Sequence, residues 1–152
     1  MNGLASEPIP NSQAVLIGID PDSNKSGVAL YRKSDKSYKL SNLTFFELFD
    51  YLEERKHLIH LVVIEAGWLN KGTWHGVGRK GAYVAARIGK NVGTNHETAK
   101  KIEEMCIYLD LPYELVRPRM GKLKAKEFER VTGIKERTNP EKRDAFMLVF
   151  GR

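Results

Sequence analysis

At 152 residues, 41% hydrophobic and 29% charged, the chain has the size and composition of one soluble domain, able to bury roughly two thirds of its unfolded surface. No apolar run approaches the roughly 18 residues of a membrane span, and the single cysteine, Cys106, excludes an internal disulfide and fits a reducing compartment. Residues 1–76 carry a net charge of −1 and residues 77–152 a net +7, which points to a polyanion partner, nucleic acid before an anionic membrane, or to a solvated basic face with no specific partner.

Residues 1–13 hold two prolines, no basic residue and no apolar core segment, so they read as a loose tail, neither signal peptide nor membrane anchor, ahead of a single domain over 14–152. The apolar run that follows predicts a strand over Ala14–Asp20, with further strands at Gly27–Arg32 and Lys36–Leu40 and a turn at Ser34-Asp35. This is an antiparallel meander. An ionised Asp20 directly after a buried strand is costly unless a basic side chain, backbone N–H groups or a metal ion meets it. Asp22 is either an extra acid beside the site or, as we expect, a turn residue that caps its own turn.

Thr44-Phe-Phe-Glu47 has the form of a capping box and opens a helix to about His57, with Phe45, Leu48, Phe49 and Leu52 facing inward. The next strand, His60–Glu65, is apolar until it too ends in a carboxylate, and its near-continuous hydrophobicity indicates cover on both faces. From Ala66 to Gly81 the chain is Gly-rich and basic, with Trp68 and Trp74 among Lys71, Arg79 and Lys80. Either the tryptophans pack locally, or this is a substrate loop whose aromatics stack on bases while its cations meet phosphates.

A long helix is predicted over Ala82–Asp110, with Ile102, Met105, Cys106 and Leu109 as a buried stripe toward the sheet or a partner subunit. Gly89 and Gly93 inside it imply a break or the close approach of another backbone, and we expect close approach. Pro112–Val116 reads as a fifth strand. A dense basic cluster follows, Arg117, Arg119, Lys122, Lys124 and Lys126, with a short helix over Lys122–Thr132 stopped by Gly133. The last helix starts on Asn139 as N-cap and Pro140 at its first position and runs to Phe150. Glu141 and Asp144 share one face of its first turns, and the apolar remainder draws them toward the core.

This order of elements predicts an α/β layer fold on a mixed sheet. With the first and fourth strands adjacent and parallel, Asp20 and Glu65 lie at one edge, and Glu141 and Asp144 join them if the last helix packs there. Carboxylates that close require raised pKa values or bound divalent cations. An all-oxygen site suits Mg²⁺, and two such ions would serve in-line attack on a phosphodiester.

The motifs I-G-I-D-P at Ile17–Pro21, V-V-I-E-A at Val62–Ala66, R-I-G-K-N-V-G at Arg87–Gly93 and E-K-R-D-A at Glu141–Ala145 resemble, in order and setting, the RuvC-type Holliday junction resolvases of the RNase H-like superfamily. The resemblance spans about Val15–Phe150. It implies a five-stranded RNase H-like mixed sheet flanked by helices, and Asp20, Glu65, Glu141 and Asp144 as metal-binding catalytic acids. It also implies Mg²⁺, or Mn²⁺ as substitute, and a cytoplasmic, DNA-associated homodimer that cuts opposing strands of a four-way junction in branched DNA. Family-like enzymes hold scissile phosphates with basic residues near the last helices, which makes Lys122, Lys124, Lys126, Lys142 and Arg143 candidates. Arg119 and the Trp68–Lys80 residues complete the expected nucleic-acid surface. Two positions depart from the family pattern: D-P-D stands where D-P-G is commoner, and Glu141 where many relatives carry Asp. Other readings are a nuclease for RNA–DNA hybrid or structured RNA, a non-catalytic nucleic-acid binder that keeps the fold, and an actin-like or sugar-kinase phosphate loop, which would need a second such domain.

Overall fold

The computed structural model describes residues 14–69 and 81–152, so the expected tail over 1–13 lies outside it. β1 (Val15–Asp20), β2 (Ser26–Arg32) and β3 (Ser37–Leu43) form the expected antiparallel meander. β3 extends three residues past the predicted Leu40 because its backbone ladder with β2 continues to the Ser26–Leu43 pair, and an edge strand tolerates polar side chains there. β4 (Ile59–Glu65) lies parallel to β1 and β5 (Tyr113–Val116) parallel to β4, giving the order β3-β2-β1-β4-β5.

The helices follow their local signals with some shifts. α1 (Phe45–Arg55) opens on the capping box: Glu47 Oε2 accepts the Thr44 N–H at 2.8 Å, and Thr44 Oγ1 accepts the Glu47 N–H at 3.4 Å. Leu48 and Leu52 are buried as expected, whereas Phe45 is not an inward residue; it is 39% exposed and packs edge-on against Phe46, and Tyr51 completes the buried stripe instead. α2 (Gly81–Tyr108) runs unbroken through both glycines. A Cβ on Gly93 would meet nothing within 4 Å among the described residues, so none of these makes the close approach expected there. α3 (Ala125–Thr132) begins three residues later than predicted, after a loop over 117–124, and ends on Gly133 at φ 77°, a left-handed cap. α4 (Pro140–Met147) starts on Asn139, whose Oδ1 accepts the Lys142 N–H at 3.0 Å. Hydrogen-bonded turns carry it on to Phe150.

Strand alternation sorts the core into two layers. Val15, Ile17 and Ile19 of β1 and Val62 and Ile64 of β4 pack with Leu48, Leu52, Ile102, Met105 and Cys106 of α1 and α2. The stripe on α2 therefore faces the sheet, and the Cys106 thiol is pushed up to about 12 by its burial and by Glu103. Leu16 and Val63 face the other way, onto Phe128, Ala145, Phe146 and Val149 of α3, α4 and the turn after it. By the same parity Asp20 and Glu65 project to the α4 side. α4 rests against the sheet at two glycines: a Cβ on Gly18 would collide with the Ala145 carbonyl, and one on Gly27 with the Glu141 carbonyl. Among the described residues no helix is long and apolar enough to cross a membrane.

Candidate active site

Ile19 pairs with Ile64 across the parallel β1–β4 ladder, so Asp20 and Glu65 end adjacent strands at the same level. Gly27, opposite Asp20, lets the first turn of α4 descend onto the strand ends, which brings Glu141 and Asp144 to the same place. All four carboxylates line one cavity of about 420 Å³. The convergence read from the sequence is therefore present.

The loop over 117–124 adds a cation. Lys122 Nζ donates to Asp144 Oδ2 at 2.7 Å and to Glu65 Oε1 at 3.3 Å, and both carboxylates are only 11% exposed. Burial works against the ammonium, but the hydrogen bond to Asp144 and the charges of Asp20, Glu65 and Asp144 outweigh it and hold the Lys122 pKa above its usual range. One lysine does not balance four acids. Burial pushes the Asp20 carboxyl up to about 8, with Glu65, Asp144 and Glu141 adding to the rise and Lys122 opposing it. The four border one cavity, but among the described residues no three acids stand close enough together to hold a metal ion as the side chains lie.

The other predicted contacts divide. Arg119, Lys124 and Lys126 are exposed on the loop and the start of α3, and Lys142 is half-buried on the first turn of α4. Arg143 is placed differently from these. It is buried, and its guanidinium donates to the carbonyls of Leu123 at 3.1 Å and Thr138 at 2.9 Å and to Thr138 Oγ1 at 3.2 Å. Through Nε and Nη1 it ties the Lys122 loop to α4, a structural role beside the phosphate contact expected of it. Trp68 is half-buried against the first core layer, edge-on to His96 at 6.0 Å with Lys100 Nζ 5.7 Å from its ring, so its ring is engaged in local packing. Lys71, Trp74, Arg79 and Lys80 lie outside the described residues. Asp22 Oδ1 accepts the Asn24 N–H at 2.8 Å, the self-capped turn expected of it, and Asp22 also lines the acid cavity, so the extra-acid alternative stays open.

The cavity also holds residues that sequence reasoning missed. Asn95 and His96 of α2 line its wall, and His96 packs directly over Gly67. The available signal was the polar Thr94-Asn-His96 run within the helix.

No family model matches the chain, and no curated protein matches it. Among solved structures it is similar to RuvC from T. thermophilus in complex with a Holliday junction substrate, at 15% identity and a TM-score of 0.52, covering 89% of each chain. It also aligns with YeaZ from Pseudomonas aeruginosa at 13% identity and a TM-score of 0.39, over 79% of this chain and 50% of that one. The second alignment is too loose to bear on the fold. The first, with the strand order and the helix pairs on either face of the sheet, gives the conclusion that this chain has the RNase H-like fold in the form seen in RuvC.

Proposed function

We propose that the protein is a metal-dependent endonuclease that hydrolyses phosphodiester bonds in branched DNA, with four-way junctions as its substrate. The observation that carries this reading is the cavity lined by Asp20, Glu65, Glu141 and Asp144 at the strand ends of a fold shared with a RuvC–junction complex. The donor set fits a hard divalent cation, because it is all carboxylate oxygen and its negative charge exceeds what Lys122 balances. Asp20, Glu65, Glu141 and Asp144 would hold Mg²⁺, or Mn²⁺ in its place. Such a cation, when bound, supplies charge stabilisation and a water of lowered pKa.

The chain's own groups do the rest. β1 and β4 fix two carboxylates on rigid strand ends, and Gly18 and Gly27 fix the distance of the two on α4. Lys122, held by Asp144 and Glu65, presents an ammonium to a phosphate entering the cavity. The basic excess of residues 77–152 attracts the polyanion and steers it to the cleft. A two-fold junction calls for paired nicks, so the working form in this reading is a homodimer.

The test is a cleavage panel of junction, flap, duplex, RNA–DNA hybrid and structured RNA, each with Mg²⁺ and with EDTA, using the wild type and Glu65→Gln. Junction cutting that needs Mg²⁺ and disappears in Glu65→Gln, with junction binding retained, is the expected result. Cutting by Glu65→Gln at the wild-type rate refutes the acid site, and preference for the hybrid moves the substrate to RNA–DNA.

A further inference from the structure

Beside the acid cavity lies a second one, of about 270 Å³, between the 119–123 segment and the helices α3 and α4. The two share Glu65, Lys122 and Asp144, so they adjoin at these side chains. Its character is different: Met120, Leu123, Val131, Met147 and Leu148 make its walls apolar. Two of these apolar groups face solvent without cover, Met120 at 94% and Val131 at 47% exposure. Arg119 and Lys122 stand beside the apolar walls.

We propose that this cavity receives one unstacked nucleobase next to the scissile phosphate, and thereby sets which junctions are cut. The inference rests on the nuclease reading and names the specificity determinant of that site. Four features fit this occupant. The wall shared with the acid cavity places whatever enters within a nucleotide's reach of the carboxylates. The volume falls just under the roughly 300–1,000 Å³ of pockets for drug-sized ligands, which suits a single ring system and excludes a base pair. Thioethers such as Met120 and Met147 adapt to and polarise against an aromatic face. The two cations meet the phosphates on either side of an inserted nucleotide, an arrangement an apolar peptide side chain would not call for. At a branch point the bases lose part of their stacking, so extruding one there costs less than in continuous duplex.

The Trp68–Lys80 loop is then not the sole seat of substrate choice. Trp68, at the start of that loop, packs against His96 of α2, whereas the apolar cavity is bounded by α3 and α4.

The experiment measures single-turnover cleavage of four-way junctions that differ only at the two nucleotides flanking the scissile phosphate, each base in turn and an abasic residue, with Mg²⁺. In parallel, 2-aminopurine at those positions reports unstacking on binding in EDTA, which needs no chemistry. The expected result is a base-dependent rate, with the abasic junction cut about tenfold more slowly, and a 2-aminopurine signal that rises on binding. Val131→Phe, a substitution at a half-exposed site that fills the cavity, should cut every junction at the abasic rate and lose the fluorescence rise while its thermal melt and junction affinity stay unchanged. Equal rates on all flanking bases with no fluorescence rise would overturn the pocket and leave the nuclease standing. Absence of Mg²⁺-dependent cutting on every wild-type substrate would overturn the nuclease reading and the pocket with it.

Discussion

Asp20→Asn should make the protein more stable, by an amount that depends on pH. Burial first, then Glu65, Asp144 and Glu141, raise the Asp20 carboxyl from 3.8 to about 8. A carboxyl raised in the folded state keeps its proton where the unfolded chain has lost it, so stability is full below about pH 4 and falls as pH rises, until the loss is complete above about pH 8. Each pH unit inside that window removes up to about 1.36 kcal/mol, hence at most about 4 kcal/mol over the three units from pH 5 to pH 8. The substituted amide keeps the shape of the carboxyl without its titration. In urea unfolding at pH 5, 6, 7 and 8 with EDTA, the variant's advantage should therefore widen steadily with pH. Saturating Mg²⁺ should restore the wild type at pH 8, because a cation that binds only the folded state adds its binding free energy to stability. Parallel pH curves for the two proteins, or a wild type more stable than the variant at pH 8 in EDTA, would refute the crowding of charge at this site.

Two further substitutions probe how the site is held. Gly18→Ala places a methyl against the Ala145 carbonyl, so α4 must move off the sheet; stability should fall by about 1–3 kcal/mol in urea unfolding, and Mg²⁺-dependent cutting should fall more steeply than junction affinity. Arg143→Ala removes three internal hydrogen bonds and frees the loop that carries Lys122. It should cost roughly 2 kcal/mol of stability and slow cleavage while leaving junction affinity and its salt dependence intact, whereas a phosphate ligand would lower both.

What the sequence showed of this site was local, and what it hid was assembled from distant parts. Asp20 and Glu65 were legible because an apolar strand that ends on an acid is a one-dimensional pattern, and the parity that turns both to the same face is legible too. Asn139-Pro140 announced the start of α4, and so the shared face of Glu141 and Asp144. Lys122 could not be singled out from its basic neighbours, since its partners lie 57 and 22 residues away and the choice among the lysines is made by the path of an irregular loop. Arg143 reads as a phosphate ligand because it stands between the acids on a helix start; only the passage of Leu123 overhead shows that its Nε is turned inward. Glycine in a strand interior marks close approach, and Gly18 and Gly27 carried that signal, while Gly93, exposed on its helix, meets nothing among the described residues.

Lys122 links these observations. An ammonium has three N–H donors, and among the described residues two of them are engaged, by Asp144 and Glu65. A phosphate can therefore reach the third without breaking either bond. The acids that hold the lysine are the same ones that border both the hydrophilic cavity and the apolar one. A nucleotide with its phosphate at Lys122 would have the carboxylates on one side and a base-sized apolar recess on the other. Positioning for cleavage and discrimination of the flanking base then pivot on one side chain, which is held by the Arg143 tether beneath its loop.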